Sequence, residues 1–227
     1  MSTENLEIRD LVLLATLPHV VFEGWNQAAL RAGTADLGEM SGLDLMVAER
    51  AFPGGMADMA RHFSNWADRR MVAEMGKLDM STLKVRDRIA AGVRLRLQVL
   101  APHREAMRPL LSFLSLPQHV AMALSCGYDT VSEIWYAAGD ESTDFNFYTK
   151  RALLAPVLAT TILYWLADDG DGAGDFPETW AFLDRRIADV LKIPPLKGKL
   201  MDRLSRMPTP TGILHRFTVA AKARRSS

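Results

Sequence analysis

Apolar residues recur at helical spacing along almost the whole chain. No run shows sustained period-two alternation, and glycine and proline fall mostly between the periodic segments. This pattern predicts helices over 4–17, 24–37, 42–51, 54–78, 81–99, 103–115, 117–138, 143–167, 175–191 and 196–207, with a weaker one over 211–222. Pro18 follows the apolar face Leu6, Leu13, Leu14 and Leu17 and is expected to end the first helix. Pro53-Gly54-Gly55 breaks the chain before Met56, and DDGDGAGD, from Asp168 to Asp175, is the longest loop. The expected fold class is all-α.

Two segments stand apart by their apolarity. The first, Ala152 to Ala167, spans sixteen residues, against the roughly 20 that a bilayer requires. Thr160, Thr161 and Tyr164 interrupt it, so a membrane span is not expected. At helical spacing Leu153, Leu154, Val157, Leu158, Ile162 and Trp165 leave hardly any polar face, the signature of a helix buried on all sides. Pro156 should sit in the first turns or kink that helix. The second segment, Leu110 to Cys126, carries Pro117. Two proline-bent apolar helices either enclose a gap for something greasy or pack as an ordinary core. The residues alone leave both open.

Charge changes the picture at the C-terminus. Lys+Arg and Asp+Glu are both 27, yet 192–227 holds nine Lys/Arg and one acid, Asp202, a net of +8, which leaves −8 on residues 1–191. The chain therefore divides into a helix-turn-helix-like module over 1–75, a helical body over 76–191 and a basic tail over 192–227. In the tail, Leu196, Leu200, Leu204 and Met207 form one helical stripe, with Lys197, Lys199, Arg203 and Arg206 mostly off it. That is the pattern of a basic amphipathic helix on an anionic membrane surface, or of a terminal helix with a solvated charged face. The N-terminus is acidic and lacks signal-peptide or transit-peptide character, and the single Cys126 excludes an internal disulfide. The expected location is cytoplasmic, or the mitochondrial matrix if a transit peptide has been removed.

No catalytic set can be assembled. The five histidines lack metal-ligand spacing, and no GxGxxG or GxxxxGK[ST] occurs. Asp169 and Asp171 fit a calcium loop, but Ala173 and Trp180 occupy ligand positions. A non-enzyme without metal or cofactor is expected.

Short N-terminal helices followed by AFPGGMADMARHFSNWADRRM (Ala51 to Met71) resemble the turn, recognition helix and long fourth helix of TetR-type regulators, with GGMADMA as the recognition segment. From Thr34 to Ala60, however, Asp36, Glu39, Asp44, Glu49 and Asp58 face a single Arg50. Duplex binding rests on phosphate neutralisation and base-reading side chains, and this segment offers neither, so no nucleic acid is expected.

WYAAGDESTDFNFYTKRALL (Trp135 to Leu154) and DFPETWAFLDRRI (Asp175 to Ile187) closely resemble the coenzyme Q (ubiquinone) biosynthesis accessory family. LPHVVFEGW (Leu17 to Trp25) and FPGGMADMARHF (Phe52 to Phe63) are similar to its bacterial members, and the likeness covers most of 6–191. The resemblance implies a TetR-like fold without DNA binding, a homodimer, and a hydrophobic site for isoprenoid lipids or quinone precursors. It also implies presentation of those precursors to the di-iron demethoxyubiquinone hydroxylase, through a surface matching Trp135, Tyr136, Gly139 and Asp140 here. The lipid site is expected on Leu153, Leu154, Val157, Leu158, Ile162 and Trp165. Lys150 and Arg151 have a structural reading, pairing with Asp140 or Asp144, and Ser142 or Thr143 can cap the helix that follows. The alternative reading of the whole chain is a TetR-like transcriptional regulator with a hydrophobic effector.

Overall fold

The computed structural model describes residues 3–41, 44–140 and 145–192. Nine α-helices account for most of them: α1 (Thr3–Glu23), α2 (Gln27–Ser41), α3 (Leu45–Ala51), α4 (Gly55–Met75), α5 (Val85–Leu100), α6 (Arg104–Leu114), α7 (Val120–Ala137), α8 (Phe145–Ala167) and α9 (Pro177–Leu191). No strand occurs among the described residues. The expected helices over 196–207 and 211–222, the caps Ser142 and Thr143, and Asp144 lie outside the described residues, as does the tail stripe from Leu196 to Met207.

Local chemistry sets the breaks. Asn26 caps α2, its side chain accepting from the Ala28 and Ala29 amides at 2.8 and 3.3 Å. Asp44 caps α3 through the Val47 amide at 2.8 Å. Pro18 does not end α1, which runs on to Glu23. The proline removes one backbone bond on an exposed side, while Val20 beyond it is buried and holds the last turn on the core. The expected turn is present at 52–54, but no separate recognition helix follows it within 55–71. Residues 55–75 form one continuous helix, α4, and the short helix before it is α3, with Asp44, Met46, Glu49 and Arg50 outward. Gly54-Gly55 supplies the bend, Gly55 lying at φ +62°.

Residues 1–188 form one compact unit, and of the second, from Asp189 onward, only the end of α9 is described. α1 packs against α2 most closely, and a Cβ on Gly33 would come 2.7 Å from the Ala15 carbonyl oxygen and the Thr16 backbone. α4 is the central element. It touches α1, α5 and α7 and buries Met59, Phe63, Trp66, Met71 and Met75. Rings from three regions meet there, the α1–α2 turn, α4 and the turn before α6: Trp25 and Trp66 lie 6.1 and 6.0 Å from Phe63, and His103 lies 5.5 Å from Trp66. Three helices also meet in one buried polar cluster. Arg96 Nε of α5 donates to Asp68 Oδ1 of α4 at 2.7 Å, and the Thr130 hydroxyl of α7 lies 3.0 and 2.9 Å from the two Asp68 oxygens.

The expected all-round burial of α8 is not observed. Ala152, Pro156, Ala159 and Thr160 are exposed, and Leu163 is 59% exposed. Small apolar residues can face water at little cost, so an unbroken apolar run does not fix which sides are covered. Pro156 lies at the middle of α8, on that exposed side, and Pro117 lies in the turn between α6 and α7 rather than within a helix. Among the described residues, no helix is long and apolar enough to cross a membrane.

Candidate functional site

A cavity of about 360 Å³ lies among α4, α5, α6, α7 and α8. Its cause is a shortage of side-chain volume where α7 and α8 meet. α7 presents Ala123, Cys126, Gly127 and Thr130, and α8 presents Ala155 and Ala159. Larger apolar residues surround this gap: Phe63, Leu100, Met107, Leu110, Leu111 and Leu114 from α4 to α6, and Leu158, Ile162 and Leu163 from α8. Polar groups are few, namely Ser64, Arg96, Thr130 and Ser115. Arg96 and Thr130 are buried, whereas Ser115 and Leu163 are exposed, so the cavity has a buried polar end and a mouth at the surface. The Cys126 thiol faces this space, and burial pushes its pKa above the ordinary thiol value. A second depression, about 430 Å³ between α5 and α9, is walled by Arg86, Asp87, Arg94 and Asp184 and does not suit an apolar chain.

Of the six α8 residues expected at a lipid site, Leu158 and Ile162 line the cavity. Leu154, Val157 and Trp165 are buried elsewhere in the core, and Leu153 is half-buried. Trp165 packs edge-on to Phe176 at 5.9 Å with the Arg104 guanidinium over its ring at 5.6 Å. The helical turn separates the two sets: 155, 158, 159 and 162 share one side, and 154, 157, 161 and 165 another. Leu110, Leu111 and Leu114 of the α6 wall fall in the second apolar segment, Leu110 to Cys126, whereas Met107 and Arg96 were not singled out from the sequence. One signal did exist there, the small pairs Ala123/Gly127 and Ala155/Ala159, each spaced four residues apart in an apolar segment.

The second candidate surface is the C-terminal corner of α7. Gly139, at φ +85°, lets the chain turn back: its amide donates to the Tyr136 carbonyl at 2.9 Å, and the Asp140 amide donates to that of Trp135 at 3.0 Å. Arg88 Nη1 donates to the Ala138 carbonyl at 3.1 Å and closes the corner from α5. Asp140 then receives Lys150 Nζ at 2.6 Å and lies 3.6 Å from Arg151 Nη1, the pairing expected for both cations. Arg151 is buried, donates through Nε to Ser132 Oγ at 3.1 Å, and lies 5.1 Å from the Tyr136 ring centre. Lys150 stands over the Trp135 ring at 5.3 Å. The corner therefore brings Trp135, Tyr136, Gly139 and Asp140 together. Tyr136 is 56% exposed, whereas Trp135 is half-buried beneath Lys150.

Among the described residues, no group of three or more His, Cys, Asp or Glu could hold a metal ion. In the Asp168–Asp175 loop the carboxylates serve the fold. Asp168 accepts from the Thr179 amide and hydroxyl at 2.9 and 2.6 Å, and Asp175 accepts from Trp180 Nε1 at 2.6 Å. Burial alone would raise the Asp168 pKa, but these bonds and that from the Gly170 amide hold it below the ordinary carboxylate value.

A protein-family model described as COQ9 matches residues 120–194, the stretch that holds α7, α8 and α9. The mitochondrial ubiquinone biosynthesis protein COQ9 of Rattus norvegicus is 32% identical over 196 residues, covering 82% of this chain and 60% of its own length. The Homo sapiens protein of the same name is 32% identical over 199 residues, with 85% and 59% covered. The chain thus spans about 60% of the length of these relatives. Among solved structures, a TetR transcriptional regulator from Nitrosomonas europaea superposes with a TM-score of 0.64 at 18% identity, covering 82% of this chain and 98% of that one, which shows a shared fold.

Proposed function

The chain is a homologue of the COQ9 ubiquinone biosynthesis proteins over most of its length, and from that kinship we propose a non-catalytic accessory role in ubiquinone biosynthesis. In this reading the protein holds an isoprenoid quinone precursor, or another lipid, in the cavity beneath α7 and α8. It presents that molecule at a membrane surface to the di-iron demethoxyubiquinone hydroxylase. The observation that carries the reading is the position of the cavity. Two of its walls, α7 and α8, fall inside the matched family region, and the lining is apolar except at one end. Burying apolar chain there stabilises a complex at about 25 cal/mol per Å². The α7 corner, with Tyr136 outward, is the proposed docking surface for the hydroxylase, and the basic tail is the proposed membrane contact.

The TetR-like fold raises the alternative of a DNA-binding regulator with a hydrophobic effector. Its outward α3 residues, Asp44, Met46, Glu49 and Arg50, carry no net positive charge, which argues against phosphate neutralisation. The test is native mass spectrometry with lipid extraction of purified protein, alongside duplex-DNA titration at low salt. A co-purifying quinone, polyprenyl or other lipid supports the proposal. Protein that carries no lipid and takes up no added long-chain quinone overturns it, and tight duplex binding supports the regulator.

A further inference from the structure

We propose that Arg96 is the group that orients the bound molecule, donating a hydrogen bond to an oxygen acceptor on the head of an amphipathic ligand. The head then occupies the buried end of the cavity and the apolar chain trails out past Leu163. The inference rests on the reading of this cavity as a lipid site and names the chemical class it takes: a neutral head bearing a carbonyl oxygen, on a long apolar chain.

Arg96 is an unusual occupant of that wall. It is 6% exposed, yet it lines the cavity. Its Nε donates to Asp68 Oδ1 at 2.7 Å and its Nη2 to Ser64 Oγ at 3.1 Å. Nη1 has no hydrogen-bond partner among the described residues. A guanidinium carries five N–H donors, and Nη1 is not among the buried nitrogens left without a partner, so its N–H groups are within reach of water and of an acceptor brought by a ligand. Fixed by Asp68 and Ser64 on two of its three nitrogens, the guanidinium offers the third without having to reorganise.

The charge balance selects the head. Asp68 already neutralises Arg96, and Asp68 is itself held by Thr130. A second anion at the same place would leave a buried excess of negative charge, which is expensive in an apolar surround. A neutral carbonyl needs only the free N–H. The cavity, about 360 Å³, lies at the low end of the roughly 300–1,000 Å³ range of small-molecule sites. It suits a head and a short stretch of chain, with the remainder passing the exposed Leu163.

Two sources could present this chemistry, a quinone and a fatty ester, and the experiment separates them. Equilibrium binding is measured for a decyl-substituted benzoquinone, a decyl ester of matched size, and a hydrocarbon of the same length. The wild-type chain is compared with the double variant Asp68→Leu/Arg96→Met, which removes both charges together and leaves neither buried alone. The expected result is at least tenfold weaker quinone binding in the double variant, with hydrocarbon binding unchanged. An ester that follows the quinone shows that the carbonyl alone is read, and an ester that binds like the hydrocarbon assigns the site to quinones. The infrared carbonyl stretch of the quinone, measured bound to the wild-type chain, should shift to lower frequency than in hexane, and this readout does not depend on the variant folding. Equal affinity for quinone and hydrocarbon in the wild-type chain, or an unshifted carbonyl stretch, overturns the inference while the cavity remains a lipid site. If the wild-type chain binds none of the three molecules, the lipid-site reading falls and this inference with it.

Discussion

Gly127 offers a stability test and a cavity test at one position. It lies well inside α7, with seven helical residues before it and ten after. A Cβ built there meets no atom within 4 Å. Glycine inside a helix costs about 0.5–1 kcal/mol relative to alanine, through the backbone freedom it loses on folding. Nothing steric offsets that cost here, so Gly127→Ala should stabilise the chain by about 0.5–1 kcal/mol. For a chain of this size the melting temperature should rise by roughly 2–4 °C per kcal/mol. The opposite sign is expected at two other helical glycines. A Cβ at Gly92 would come 2.9 Å from Ile134 Cγ2 and 3.1 Å from Met75 Sδ, and one at Gly33 would meet backbone at 2.7 Å. Overpacking of this kind costs about 1–3 kcal/mol, with Gly33 the more severe because backbone cannot swing aside.

Gly127→Leu then separates a useful void from an accidental one. The larger side chain occupies space between α7 and α8 and takes contact area from any bound chain. A ligand that forfeits about 60 Å² at roughly 25 cal/mol per Å² loses about 1.5 kcal/mol, a factor of about ten in affinity. Thermal melts and quinone titrations of the alanine and leucine variants provide both readings. A lowered melting temperature for Gly127→Ala, or undiminished quinone binding by a well-folded Gly127→Leu, would refute the reasoning.

Three further outcomes are expected. Burial lowers the His62 pKa, against the raising effect of its hydrogen bond to Asp10, and burial beside Arg70 lowers that of His103. The unfolded chain therefore takes up protons first, from about pH 6.5 downward, and the melting temperature should be flat above that pH and fall below it. A rise on acidification through the same window counts against this assignment. Tyr136→Ala should weaken hydroxylase association in a pull-down without changing the melting temperature, whereas Trp135→Ala should lower both, because Trp135 lies half-buried under Lys150. Full hydroxylase association by a folded Tyr136→Ala chain removes the corner as the docking surface. A chain ending at Ile193 lacks Lys197, Lys199, Arg203 and Arg206, each worth roughly 1 kcal/mol near an anionic bilayer, and should fail to sediment with anionic vesicles. Sedimentation equal to that of the full chain would place the membrane contact elsewhere.

Helix number and order over the described residues were legible because period 3.6 and turn chemistry act locally. Asp44 and Asn26 announce their helices within three residues of themselves. Pro18 misled because its effect on α1 is decided by Val20, whose burial depends on other helices. The recognition segment was misplaced for a related reason. Gly54-Gly55 reads as a break, and it is one, but the helix it starts continues unbroken to Met75 because Met59, Phe63, Trp66 and Met71 fall on one buried side. The pairing of Lys150 and Arg151 with Asp140 was foreseeable from opposite charges ten and eleven residues apart.

The cavity was only half legible, and the reason is physical. An apolar pattern marks the side chains that leave water, but a void is a property of facing surfaces. Leu154 and Leu158 read alike in the sequence, yet one packs in the core and the other borders empty space. What distinguishes them is the small residue opposite, Ala123 or Gly127 on α7, and the sequence does not state which α7 residue faces which α8 residue. Arg96 is harder still. It lies 28 residues from Asp68, and Thr130 lies 62 residues from the same carboxylate. Its helix carries three other arginines, Arg86 and Arg94 paired at the surface and Arg88 bonded to the Ala138 carbonyl, and nothing in its neighbours marks Arg96 as the buried one. Its role follows only from three helices converging on one carboxylate. That convergence leaves one nitrogen of a fixed cation without a partner, in a cavity otherwise built for hydrocarbon.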